Sequence, residues 1–200
     1  MALLALCCLV AGVACGLLLF PGELSAALTG RSWLVLWLLM FSVGISVGMG
    51  KDVLRKVGTY RLRVLVLPLG ITAASVAAGF LCGFLPGLSL AEKVCVTSGM
   101  GWYSLTGVML TGLAGARAGA VGFLANLLRE LLSFLTIPWI ARRLDHYTAI
   151  APAGATSEDT TLALLIRCTR EEVVVLAVVN GVLCSAAVPF LIRFFYGILA

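Results

Sequence analysis

Asn126-Leu127-Leu128-Arg129-Glu130-Leu131-Leu132-Ser133 sets an arginine and a glutamate in the middle of an apolar run from about Ala118 to Ile140. A charge at the centre of a membrane-spanning helix costs roughly 2.5–3.5 kcal/mol on insertion scales. A chain this apolar does not keep two there by accident of composition. At helical periodicity Asn126, Arg129, Glu130 and Ser133 share one side, at i, i+3, i+4 and i+7. Leu124, Leu127, Leu128, Leu131 and Leu135 take the rest of the circumference. The polar stripe is expected to face protein or water, away from lipid.

The rest of the chain reads the same way. Of its 200 residues, 62% are hydrophobic and 12% charged, and the mean hydropathy is +1.12. Soluble domains are about half apolar and about a quarter charged, so the composition specifies an all-α, polytopic integral membrane protein. About five to six transmembrane helices are expected, with two broken or re-entrant segments and a possible inverted repeat, in one membrane-embedded transporter domain over 1–200. The net charge of +5 is concentrated in a few loops, which bears on topology in a lipid bilayer and not on nucleic-acid binding. The seven cysteines lie mostly inside apolar runs without metal-ligand spacing and read as small embedded hydrophobes. No metal triad, nucleophile–base pair or phosphate loop is present in the sequence, so neither an enzyme nor a cofactor or metal is expected.

Residues 2–20 read as a first span ended by Phe20-Pro21-Gly22; without a basic region ahead of it, this is a retained span and not a cleaved signal. Residues 32–49 form a second span, closing on small residues from Ser42 to Gly50 that suit close helix packing. The next loop holds Lys51, Arg55, Lys56, Arg61 and Arg63 against one acid, Asp52, and by the positive-inside rule lies in the cytoplasm. The N-terminus is then cytoplasmic as well. A third span, 64–85, leads outward to Pro86-Gly87 and a loop with Glu92 and Lys93.

Two stretches fail to look like ordinary spans. Val94 to Leu113 is interrupted by Ser98-Gly99-Met100-Gly101-Trp102-Tyr103-Ser104. Ala149 to Arg170 carries Ala151-Pro152-Ala153-Gly154-Ala155-Thr156-Ser157-Glu158-Asp159-Thr160-Thr161 before a short apolar tail, and Thr156-x-x-Asp159 has the pattern of a helix start. Non-helical backbone at membrane depth is tolerated only when buried in protein or lining a water-filled cavity. A pair of such interrupted segments points to a transporter's central site. If the first dips in and returns, Arg142 and Arg143 fall in the cytoplasm, as the charge rule demands; the second then dips from the cytoplasmic side. A last span, 172–196, places the C-terminus outside.

Three co-linear motifs, Gly99–Gly107, Phe123–Leu131 and Gly154–Leu162, with Val43–Gly48 ahead of them, resemble the bacterial lysine exporter (LysO) family of inner-membrane proteins over nearly the whole chain from about residue 5. The resemblance implies export of L-lysine and lysine-like antimetabolites such as thialysine across the cytoplasmic membrane, with the acid of the Arg-Glu motif, Glu130 here, important for transport. Two features depart from the family pattern. Glu158 and Ala163 stand where the family typically has Met and Pro, and longer members carry further N-terminal spans. The latter leaves a homodimer and a partner membrane chain both open.

Read residue by residue, Glu130 is a ligand for a substrate ammonium or a carrier of protons, against the plainer role of neutralising a neighbouring cation. Arg129 either fixes a substrate carboxylate or holds Asp159 in place. Glu158, Asp159, Thr156, Ser157 and Thr160 either cap the second half-helix or join the transport site. Asn126 shares the polar stripe. Trp102, Tyr103 and Ser104 lie inside the first broken segment, the aromatic pair as a gate or an interface belt. His146, the only histidine, is expected to be solvated. The expected function is secondary, proton-coupled antiport by alternating access; the alternative is an accessory or channel-type subunit that assembles with a partner chain.

Overall fold

A computed structural model describes residues 63–200 and, before them, helical positions 7, 10–12, 14–16, 34, 38, 41 and 45. The expectations for the first two spans, the Val43–Gly48 stretch and the basic loop otherwise lie outside the described residues. The chain divides into two compact units, Met1–Ser46 and Val47–Ala200; the following concerns the second.

The described residues form helices, helical turns and loops, with no strand among them. Helix α1 (Arg63–Leu81) runs on through a 3-10 turn, Cys82–Phe84. Helix α2 spans Leu90–Ser98 and α3 Tyr103–Ala114. Gly115, at φ +90°, turns the chain into the 28-residue α4 (Ala116–Arg143). Two 3-10 turns, Thr148–Ile150 and Gly154–Glu158, precede the short α5 (Leu162–Cys168). The last helix, α6, covers Glu171–Leu199. Among the described residues, three stretches are long and apolar enough to cross a membrane: Leu65–Phe84, Ala116–Arg143 and Glu171–Leu199.

The sequence explains these elements locally. Glu92 and Lys93, expected in a loop, belong to α2, because Ser89 and Glu92 form a capping box. The Ser89 amide donates to Glu92 Oε2 at 2.6 Å, and the Glu92 amide donates to Ser89 Oγ at 3.2 Å. Lys93 Nζ then donates to the Gly83 carbonyl at 2.9 Å, tying α2 to the turn before it. On α4 the buried face is Gly122, Asn126, Leu127, Glu130, Ser133 and Ile137. Leu127 thus corrects the expected outward leucine face: at i+1 from Asn126 and i−3 from Glu130 it packs inward. Leu124, Leu128, Leu131, Leu132, Leu135 and Trp139 remain exposed, as a lipid-facing surface requires. Glycines let the helices close up, which matters where lipid offers no hydrophobic drive for association. A Cβ on Gly79 would lie 2.6 Å from Val94 Cα, and one on Gly122 would lie 2.7 Å from Leu110 Cδ1.

Both interrupted segments fold back along α6. Near the C-terminal end of α6, Cys95 of α2 donates through Sγ to the Ile192 carbonyl at 3.3 Å, and the Tyr196 hydroxyl donates to the Leu113 carbonyl of α3 at 2.7 Å. Both arms of the first segment therefore meet the same end of α6. The second segment starts and finishes at the other end. Ile137 of α4, Ala149, Ile150, Ala153, Leu165, Val173 and Ala177 form one buried cluster there.

Candidate functional site

The two breaks meet backbone to backbone. Met100 and Gly101 adopt positive φ values of 48° and 98°, and Gly154 one of 57°. The Ala155 amide donates to the Met100 carbonyl at 2.9 Å. A Cβ on Gly154 would collide with that carbonyl, so this crossing requires glycine on steric as well as conformational grounds.

Each break is braced by an asparagine on a long helix. Asn126 of α4 accepts from the Gly101 amide at 2.8 Å and donates to the Val96 and Gly122 carbonyls, both at 2.9 Å. Gly99 leaves room for it, since a Cβ there would sit 2.6 Å from Asn126 Nδ2. Asn180 of α6 donates to the Gly154 carbonyl and to Ser157 Oγ, both at 3.0 Å. The Ser157 hydroxyl donates onward to the Ala177 carbonyl at 2.7 Å. Asn126 and Ser157, singled out from sequence, are thus fully engaged within the protein. They form the frame of the site.

Glu130 differs from them. It is only 1% exposed, and neither carboxylate oxygen has a hydrogen-bond partner among the described residues. The Thr160 side chain, the Asp159 carboxylate and the Tyr103 phenol are among its neighbours. Thr160 itself is turned to Asp159: its amide and its Oγ1, the latter at 3.1 Å, both donate to Asp159 Oδ1. Tyr103 is held edge-on against Phe123, ring centroids 5.2 Å apart. Tyr103, Asp159 and Thr160 thus neighbour Glu130, with Asp159 exposed and Tyr103, Thr160, Trp102 and Ser104 half-buried. A buried carboxylate without a partner is costly; a proton or an ammonium group would satisfy it.

Arg129, one residue along, points elsewhere. Its Nη1 donates to Ser75 Oγ of α1 at 2.9 Å, and its Nε lies 3.5 Å from the Pro152 carbonyl. It borders an apolar cavity of ≈ 510 Å³ walled by α1 residues such as Gly70, Ile71 and Ala74. The hydrogen bonds of Arg129 thus go to Ser75 and Pro152, and those of Asp159 to Thr160. The helical angle of about 100° between neighbours splits the Arg–Glu pair between two faces.

The helix-start pattern at Thr156 is corrected by the structure. Thr156 Oγ1 donates backward to the Ala153 carbonyl at 2.9 Å, and α5 begins only at Leu162, after a Thr161 whose side chain makes no cap bond. The chain between them stays in a tight loop, closed by Thr161 Oγ1 donating to the Thr156 carbonyl at 2.9 Å. Glu158 is half-buried, and Ser185 Oγ of α6 donates to its Oε1 at 2.8 Å. His146, expected in solvent, is half-buried with an enclosed Nδ1 that has no partner among the described residues. No group of residues suited to holding a metal occurs among the described residues.

Ser75, Asn180 and Ser185 complete the frame and were not singled out from sequence. An Asn-Gly pair deep in the otherwise apolar run from Val173 to Cys184 was the available signal for Asn180; single serines in apolar helices give almost none.

Comparison with known proteins follows the same lines. A family profile described as "Lysine exporter LysO" matches residues 6–196. The chain is 35% identical over 167 residues to "Lysine exporter LysO" of Escherichia coli (strain K12), covering 84% of this chain and 55% of that protein. It is 33% identical over 174 residues to "Putative lysine exporter" of Haemophilus influenzae (strain ATCC 51907 / DSM 11121 / KW20 / Rd), covering 83% of this chain and 84% of that protein. The chain thus spans about half the length of the Escherichia coli relative. No solved structure matches it.

Proposed function

The chain belongs to the lysine exporter LysO family, and on that premise we propose that it exports L-lysine and lysine-like cationic amino acids, thialysine among them, across the bacterial inner membrane. In this reading it is a secondary transporter that exchanges substrate for protons by alternating access. The observation that carries the proposal is Glu130: a carboxylate enclosed at the middle of a membrane-length helix, without a hydrogen-bond partner among the described residues, beside the meeting point of two broken segments. Such a group alternates between binding a proton and binding a substrate ammonium, and each neutralises it in turn. Asp159 and Thr160 contribute to the same subsite, and Trp102 and Tyr103 gate it, with Ser104 beside them. Arg129, with donors beyond those used on Ser75 and Pro152, takes the substrate carboxylate. Asn126, Thr156 and Ser157 shape the backbone around them, and Glu158 adds negative charge nearby.

The fold-back of both segments supports their reading as re-entrant elements from opposite membrane faces. In this orientation the N-terminus and Arg142–Arg143 are cytoplasmic and the C-terminus is outside.

The test is lysine flux in vesicles reconstituted with the purified chain under an imposed pH gradient. Lysine movement against its own gradient, driven by the pH difference, is the expected result. Movement only after a second membrane chain is added would assign the accessory or channel-type role instead, and cross-linking within the active vesicles distinguishes a homodimer from such a pair.

A further inference from the structure

We infer that Asn180 is a positioning residue for transport: from α6 it holds the second break in register with the first, so that Asp159 and Thr160 face Glu130. The inference rests on the function proposed above. Asn180 is 1% exposed within an apolar helix, where a polar side chain stays only if its bonds are made. Both of its recorded donations go to the second break, to the Gly154 carbonyl and to Ser157 Oγ. Gly181, next in sequence, lets the same helix touch that break along the backbone, since a Cβ there would be 2.6 Å from the Glu158 amide nitrogen.

From this anchor a line of buried hydrogen bonds crosses the molecule. Asn180 holds Gly154; the Ala155 amide donates to the Met100 carbonyl at 2.9 Å; the Gly101 amide donates to Asn126 Oδ1 at 2.8 Å. Asn126 lies on α4 one helical turn before Glu130. On the other side, the loop from Thr156 to Thr161 is short and closed on itself, the Thr161 amide donating to the Thr156 carbonyl at 3.2 Å. A tilt of the Gly154–Ser157 turn therefore moves Asp159 and Thr160 as a unit relative to Glu130. Asn180 touches none of these three groups and acts through the turn it holds.

The test uses the full chain in vesicles, comparing Asn180→Ala and Ser157→Ala with the unsubstituted protein. Lysine KM and the rate per folded transporter are measured, together with hydrogen exchange at the Ala155 amide. Asn180→Ala is expected to raise KM roughly five- to tenfold, the worth of about one buried hydrogen bond, with the rate per folded molecule little changed. Exchange at Ala155 should accelerate in the same variant. Ser157→Ala, in which Asn180 keeps the Gly154 carbonyl, should shift both in the same direction but less, and it carries the test if Asn180→Ala fails to insert. Unchanged KM in both variants, with only the quantity of active protein falling, would reduce Asn180 to scaffolding and overturn the inference, as would unchanged exchange at Ala155. If the unsubstituted chain moves no lysine, the proposed function fails, while the exchange measurement still decides whether Asn180 holds the two breaks together.

Discussion

The Ala155 amide donates to the Met100 carbonyl at 2.9 Å, and this one main-chain bond joins two helix breaks whose flanking arms run to opposite ends of α6. Glu130 lies beside that junction with both oxygens unpaired among the described residues. Everything expected of the site turns on those two facts.

Glu130→Gln should abolish pH-driven lysine flux while leaving the protein folded. The amide is nearly isosteric, and it removes an enclosed charge whose burial costs several kcal/mol before any partner compensates it. The melting temperature in detergent should hold or rise as flux is lost. Wild-type flux in this variant would remove Glu130 from the mechanism.

Glu158→Gln should behave differently from Glu130→Gln. Ser185 Oγ donates to Glu158 Oε1 at 2.8 Å, and an amide oxygen can still accept that bond, though less strongly than a carboxylate. Flux is expected to persist. A loss as deep as that of Glu130→Gln would transfer the charge requirement to Glu158.

Three glycines separate packing from propensity. Gly154→Ala places a Cβ at φ +57° against the Met100 carbonyl, and Gly181→Ala places one 2.6 Å from the Glu158 amide. Each should destabilise by about 1–3 kcal/mol. Gly112, in α3, has nothing within 4 Å of its would-be Cβ, so alanine there should stabilise by about 0.5–1 kcal/mol. Thermal melts of the three variants in one detergent decide the matter, and equal shifts would contradict the close approach.

Cysteine accessibility tests the re-entrant reading. In a background without reactive native cysteines, single cysteines at Gly87 and Gly115 should label from one side of the membrane, because the first segment returns to the end of α6 from which it starts. Cysteines at Asp145 and Thr169 should label from the other side. Labelling of Gly87 and Gly115 from opposite faces would mean that the segment crosses.

The long helices and both interruptions are legible in the sequence, because hydropathy and clusters of glycine and hydroxyl residues are local signals. The stripe on α4 is legible too: Asn126, Glu130 and Ser133 are buried as their spacing predicts. What spacing hides is the division of labour within the stripe. Asn126 is consumed by three backbone groups, Arg129 turns to Ser75, and Glu130 has no hydrogen-bond partner among the described residues. These partners lie 25 or more residues away in the chain, apart from the Gly122 carbonyl, and periodicity does not reach that far. The second helix start was misplaced for a related reason. Thr156 and Asp159 match a capping pattern, but Thr156 is claimed by the Ala153 carbonyl and Asp159 by Thr160.

The crossing of the two breaks is written in main-chain atoms alone. A junction of that kind has no side-chain identity to lose. Substitutions among the residues around it can retune which cargo is accepted, as a lock is re-pinned without recutting its frame. Only its glycines and the two asparagines that steady it are denied that freedom.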